Sequence, residues 1–280
     1  MKRISILEML DIGTGETEEL ARFDGNAEAP FFFGGALCWN AGGRIYRMDG
    51  KTKTVTEVPT GFCLHCNNDH VPSPLGRYLA VSDNGAPDHG SRIYIVDTEG
   101  KEEPRLVTPQ APSYLHGWSP DGKTLAFCAS RNGEFDVYTI PAAGGEETRL
   151  TDAPGLDDGP EYSPDGKYLY FNSVRFGPME CCRMDADGGN QIRLTDNGRY
   201  NWFPHVSPDG SVIAYISYDP AETEPGNHPA DRHVEIRRML PDGTDDRAVI
   251  RFFGGQGSLN VNSWMPDSVH LAFFRYEITE

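Results

Sequence analysis

The 280-residue chain has no window of about eighteen apolar residues, so no membrane-spanning helix is expected. Its first residues, MKRISILEMLDIGTGE, begin with two basic side chains, but Glu8 and Asp11 break the apolar stretch. No small-residue cleavage site follows, so no secretory signal is expected and the protein is expected to be cytoplasmic. Basic residues are scarce: 25 Lys and Arg stand against 42 Asp and Glu, a net charge of −17. A nucleic-acid ligand needs a basic surface to displace counterions, so that class of partner is excluded. The acidity itself serves solubility. The six cysteines show no disulfide-framework spacing, and free thiols are expected. Gly-x-Ser-x-Gly is absent, which excludes a nucleophile elbow of that type.

What is abundant is turn-forming residues, 31 Gly and 21 Pro, spread evenly along the chain. That distribution favours many short strands over long helices. WSPDGKTLAF starts at Trp118, YSPDGKYLYF at Tyr162 and VSPDGSVIAY at Val206, with a spacing of 44 residues each time. A weaker copy, PSPLGRYLAV, starts at Pro72, and WMPDSVHLAF starts at Trp264. Ser-Pro-Asp-Gly is a tight turn, in which Pro presets φ, Asp bonds nearby amides and Gly accepts a positive φ. An apolar strand, an alternating strand, a Gly-rich hairpin and a short strand ending in RLTD follow. Four strands in about 44 residues make one propeller blade.

Blades two to five begin near Cys63, Ala111, Gly155 and Arg199, after a degenerate first blade from about Glu28 to Gly61. The C-terminal segment Ser258–Glu280 supplies only an inner pair of strands, and roughly Arg3–Phe23 only an outer pair. Joined, they complete a sixth blade and remove two exposed sheet edges. The expected fold is all-β: one domain over 1–280, a six-bladed β-propeller of four-stranded antiparallel blades closed by a composite blade from both termini.

These repeats resemble the TolB-like propeller repeat, over nearly the whole chain. The resemblance implies the fold, and it hosts several unrelated roles. TolB carries an export signal and a further N-terminal domain, and propeller-bearing peptidases carry a hydrolase domain; neither is found here, so neither role is implied. Lyases of pectic oligosaccharides use a related propeller with a channel metal, and no residue can be carried over from them.

In a propeller the innermost strand of each blade runs along the central channel, with the Ser-Pro-Asp-Gly turn at its bottom end. Residues just before that turn therefore approach the top mouth. They are His70 in blade two, His116 in blade three and Asp157, Asp158 and Glu161 in blade four. Asn201, Trp202 and His205 precede the blade-five turn, and Asn260 and Asn262 precede that of blade six. The top loops add Arg131, Arg175 and a long insertion, Asp219–His233, which contains His228 and is expected to fold over the mouth as a lid.

Two chemistries fit these residue types. A divalent metal suits imidazole and carboxylate ligands, with His70, His116 and His205 as the candidate set. A polar, sugar-like ligand suits arginine forks and a stacking face on Trp202. The expected function is a binding module holding a protein or small polar ligand at the top of the channel. The alternative is a metal-dependent carbohydrate-active lyase or hydrolase, with the histidines as ligands or bases, Asp158 and Glu161 as ligands or acids, and Arg131 or Arg175 for a substrate carboxylate. Convergence of at least three of these side chains would favour the enzyme. The same residues would also line a plain water-filled channel. Cys63-x-x-Cys66 and the Cys181–Cys182 pair are expected to be packing thiols, DADGGNQ a hairpin turn, and Trp39, Trp118 and Trp264 blade-packing residues.

Overall fold

Each Ser-Pro-Asp-Gly turn is closed from within. Ser119 Oγ donates to Asp121 Oδ1 at 2.7 Å, and the same oxygen accepts the Lys123 amide at 3.1 Å. Ser163 with Asp165, and Ser207 with Asp209, repeat the arrangement at 2.7 and 2.6 Å. Gly122 sits at φ +75°, the left-handed conformation the turn requires.

The computed structural model describes residues 2–279. These turns join the two inner strands of successive blades. The first blade comprises Glu28–Phe33, Ala36–Ala41, Arg44–Asp49 and Val55–Glu57. The second comprises Cys66–Pro72, Tyr78–Asp83, Arg92–Asp97 and Arg105–Leu106, and the third Ser113–Trp118, Thr124–Ser130, Phe135–Pro141 and Thr148–Arg149. Asp157–Tyr162, Tyr168–Ser173, Glu180–Asp185 and Ile192–Arg193 form the fourth. Tyr200–Val206, Ile213–Tyr218, Ala230–Met239 and Arg247–Gly255 form the fifth.

The sixth blade is composite. His270–Thr279 pairs antiparallel with Lys2–Asp11 without a break from Lys2↔Thr279 to Asp11↔His270, and Thr17–Asp24 completes the outside. Its innermost position is held by residues 258–265, an irregular stretch rather than a full strand. It touches the ladder at the Trp264↔Leu271 bridge and through Ala272 N–H to Ser263 O at 3.2 Å. Asn260 and Asn262 in this stretch turn their amides to neighbouring blades, which draws it away from regular pairing.

The core is a ring of six apolar clusters, one at each blade seam. Phe127, Phe171 and Phe273 are fully buried in three of them, each burial worth roughly 1.5–3 kcal/mol. All six cysteines are free and buried, as packing thiols would be. Trp39 and Trp264 also lie in the seams. Among the described residues no helix is long and apolar enough to cross a membrane.

The innermost strands of the first five blades share one irregularity that positions the site. Each has a register shift a few residues before its turn, between Glu28 and Phe31, Cys66 and His70, Leu115 and Gly117, Asp158 and Glu161, and Trp202 and His205. Such bulges re-aim side chains out of the pleat. At the bulges of blades one, four and five, Ala29, Gly159 and Phe203 have positive φ and each precedes a proline. A Cβ on Gly159 would lie 2.6 Å from Asn172 Oδ1, so glycine is required there.

Candidate functional site: the upper channel

His116 is the extra residue of the blade-three bulge, unpaired between Leu115↔Phe127 and Gly117↔Ala126. The bulge brings its ring to the carboxylates of two neighbouring blades. Nε2 lies 3.2 Å from Asp158 Oδ1 and 3.8 Å from Asp69 Oδ1. Phe203, in its left-handed conformation, stacks on the imidazole at 5.5 Å between centroids. Asn260 donates to Asp69 Oδ1 at 2.9 Å, and the Gly159 amide donates to Asp158 Oδ1 at 2.7 Å.

The three groups hold each other's charge unequally. Burial opposes ionisation of Asp158, but the adjacent His116 charge and hydrogen bond outweigh it and hold the carboxyl at about 2. Burial pushes Asp69 up to about 6, with His116 offsetting part of the effect and Asp158 adding to it. Burial also opposes the His116 cation, yet Asp158 and Asp69 together raise its pKa. The cluster is therefore an Asp158–His116 ion pair with a second carboxyl that ionises near neutral pH. Once it does, two carboxylates share one imidazolium.

One step lower, His205 meets Glu161. His205 Nδ1 lies 2.7 Å from Glu161 Oε2, and Nε2 lies 3.4 Å from Leu259 O. Glu161 Oε1 also accepts the Val206 amide at 2.9 Å and Asn262 Nδ2 at 2.7 Å. This pair closes the seams between three blades. A channel cavity of about 210 Å³ is lined by His70, His116 and Glu161 together with Trp118, Tyr162 and Trp264.

Other expected site residues are engaged in holding blades together. His70 is fully buried, 4.6 Å from Phe31 between ring centroids, with Nε2 3.0 Å from Ala29 O; burial lowers its pKa to about 4. Arg131 forks onto Glu147 at 2.7 and 2.9 Å and donates to Pro112 O and Ser113 Oγ. Arg175 donates to Asp157 at 2.6 Å, to Gln191 and to Ser173. Asn201 donates to Glu180 and Asn197. The guanidinium groups expected to take a ligand carboxylate are thus already paired within their own blades. Trp202 is fully buried, so its ring offers no open stacking face.

The insertion does reach the channel mouth. His228 packs tilted against Trp202 at 4.2 Å between centroids and meets the edge of Phe203 at 5.4 Å, the same ring that covers His116. Burial lowers the His228 pKa, opposed by Asp158 and reinforced by His116. The insertion walls a polar cleft of about 720 Å³, with Glu222, Glu224, Asn227, Arg232 and Gln256 among its lining residues.

The metal set His70, His116 and His205 does not converge. His70 is bonded to the Ala29 carbonyl, His205 is bonded at both nitrogens, and His116 alone meets Asp69 and Asp158. Among the described residues no three His, Cys, Asp or Glu side chains gather to hold a metal ion. The sequence points to His116, Asp158, Glu161 and His205 but overlooks Asp69 and Phe203. Asp69 lies inside the register shift between Cys66 and His70, where alternation counted from the turn no longer tells which side chain faces the channel.

A propeller whose blades are closed by Ser-Pro-Asp-Gly turns and whose ends share a blade defines the class. The TolB beta propeller domain family matches residues 72–250, and the chain belongs to that family. A protein of Agrobacterium fabrum (strain C58) with no assigned function is 40% identical over 276 residues, which is 97% of this chain and 92% of that one. A solved structure assigned as TolB from Agrobacterium tumefaciens is 39% identical, covers 100% of both chains and has a TM-score of 0.93. An oligogalacturonate lyase in complex with manganese shares the fold alone, with 17% identity, a TM-score of 0.52, and coverage of 78% of this chain and 62% of that one.

Proposed function

We propose that this propeller is a binding module that receives a cationic or hydrogen-bond-donating group of its ligand, a protein segment or a small polar molecule, at the top of the central channel. The observation that carries this reading is the upper cluster: two carboxylates around one imidazole, with no Lys or Arg of the described residues paired to either acid. A group bearing N–H donors would complete the charge balance that His116 leaves unfinished. Glu222 and Glu224 in the cleft above add negative potential along the approach. The ligand class differs from an anionic sugar, because the arginines that would recognise one are committed elsewhere. A manganese-dependent lyase reaction receives no comparable support, since the histidines do not fit a shared metal site.

Calorimetric titration tests the proposal with lysine-rich peptides, polyamines, amino sugars and uronates, on the wild type and an Asp69→Asn/Asp158→Asn variant. An amine-bearing ligand is expected to bind and to lose at least about tenfold in affinity in the variant, equivalent to about 1.4 kcal/mol. Preferential binding of uronates, or amine binding indifferent to the variant, would overturn it.

A further inference from the structure

Blade two breaks the repeat at one position. Leu75 stands where Asp121, Asp165, Asp209 and Asp267 stand in the other turns. Those carboxylates accept the amide two residues on, for example Lys123 N–H at 3.1 Å and Ser211 N–H at 3.0 Å. Leucine provides no such acceptor. The equivalent residue, Arg77, adopts φ +61°, a left-handed conformation that Lys123, Lys167 and Ser211 do not share. Blade two thus forgoes a local cap and accepts backbone strain. In exchange it presents a leucine that is 75% exposed, the most exposed large apolar residue among those described.

Leu75 leans toward the neighbouring blade, where a Cβ on Gly122 would meet its Cδ1 at 2.8 Å. It borders a groove of about 600 Å³ on the bottom face between blades two and three, walled by Tyr78, Ile95, Trp118 and Ala142. The rim is acidic. Asp97, Glu102 and Glu103 face Arg77 and Arg105, and Arg77 is held by Asp97 at 3.0 Å and Glu102 at 2.7 Å. Arg105 donates to Ala142 O at 2.8 Å, and Glu103 has no ion-pair partner among the described residues. A second copy would bring its own −17 charge to this rim, so self-association is disfavoured.

We propose that this groove docks an extended segment of another protein, which sets an apolar side chain against Leu75 and Trp118 and a lysine or arginine on Glu103. An apolar anchor beside an unpaired rim carboxylate is the arrangement that recognises such a segment. The surface is distinct from the channel mouth, so either can fail without the other.

Leu75→Asp provides the test because it restores the cap of the other blades and should leave the unfolding midpoint unchanged or higher. Phage-displayed random dodecapeptides would be selected on the wild type and counter-selected on Leu75→Asp. Enriched peptides should pair an apolar residue with a nearby Lys or Arg. Their affinity should fall at least about tenfold on Leu75→Asp and on Glu103→Lys. The proposal is overturned by an absence of enrichment over Leu75→Asp, by enrichment of acidic peptides, or by a wild-type dimer in sedimentation that Leu75→Asp dissolves.

Discussion

Two histidines face carboxylates in the same channel and have opposite standing. His205 and Glu161 satisfy one another and also take up the Val206 amide, the Asn262 side chain and the Leu259 carbonyl. His116 stands between two acids and neutralises only one charge. The first pair closes seams, and the second keeps electrostatic capacity that a ligand can use. Residue type and position in the channel are nearly the same. What differs is the number of donors already supplied to the carboxylates.

The largest expected effect lies on the saturated pair. Glu161→Ala leaves the buried Val206 amide, Asn262 and His205 without their acceptor, and should destabilise the fold by about 3 kcal/mol in urea unfolding. Amine binding by the folded fraction should be nearly unchanged. A loss of binding larger than the loss of stability would erase the distinction between the two histidines.

His116→Gln is the counterpart and has the opposite signature. It removes the cation between Asp69 and Asp158, so stability should fall by about 1–2 kcal/mol. A cationic ligand should nevertheless bind more tightly, by about tenfold, because it now supplies the only positive charge. Weaker binding in this variant would mean that the imidazole itself contacts the ligand.

Much of this is legible in the sequence. The repeat spacing locates four turns, and the half-blades at the two ends foretell the ten-residue ladder that joins them. The innermost strands were less legible. His70 and His116 each lie three residues before the turn serine, yet one bonds the Ala29 carbonyl against Phe31 and the other meets the carboxylates of two neighbouring blades. The bulge decides this: blade three shifts register at His116 itself, whereas blade two has shifted before His70. Period-two alternation does not survive such a shift, so counting from a turn misassigns faces. The pairing of the arginines is hidden from the sequence for a different reason. Arg131 and Glu147 lie sixteen residues apart, and their fork exists only once two strands pair.

Acidity should separate the two acids of the upper cluster. Asp69 binds its proton more tightly when folded, so its contribution to stability falls as pH rises from near 4 through about 6. Asp158 has the opposite sign: its contribution is present above the ordinary carboxylate value and is lost as pH falls through about 2. His116 follows Asp69 in sign, losing its contribution as pH rises through its raised folded value. Melting temperature between pH 4 and 7 should therefore decline less steeply in Asp69→Asn than in the wild type. Over the same window the affinity of an amine ligand should rise several-fold in the wild type and stay flatter in the variant, because ionised Asp69 supplies the attraction.

The smallest effect belongs to the insertion. His228 packs on Trp202 and Phe203 but belongs to neither histidine–carboxylate arrangement. His228→Ala removes an aromatic contact worth about 0.5–1.5 kcal/mol, and the ring is only partly buried, so the stability loss should fall at the lower end. Phe203 would still cover His116, and both carboxylates would remain. The equilibrium affinity for an amine should then change little, while stopped-flow association and dissociation should both accelerate as the mouth opens. Rates that stay fixed would show that ligands reach the cluster by a route that does not pass the insertion, through the channel cavity that His116 and Glu161 line.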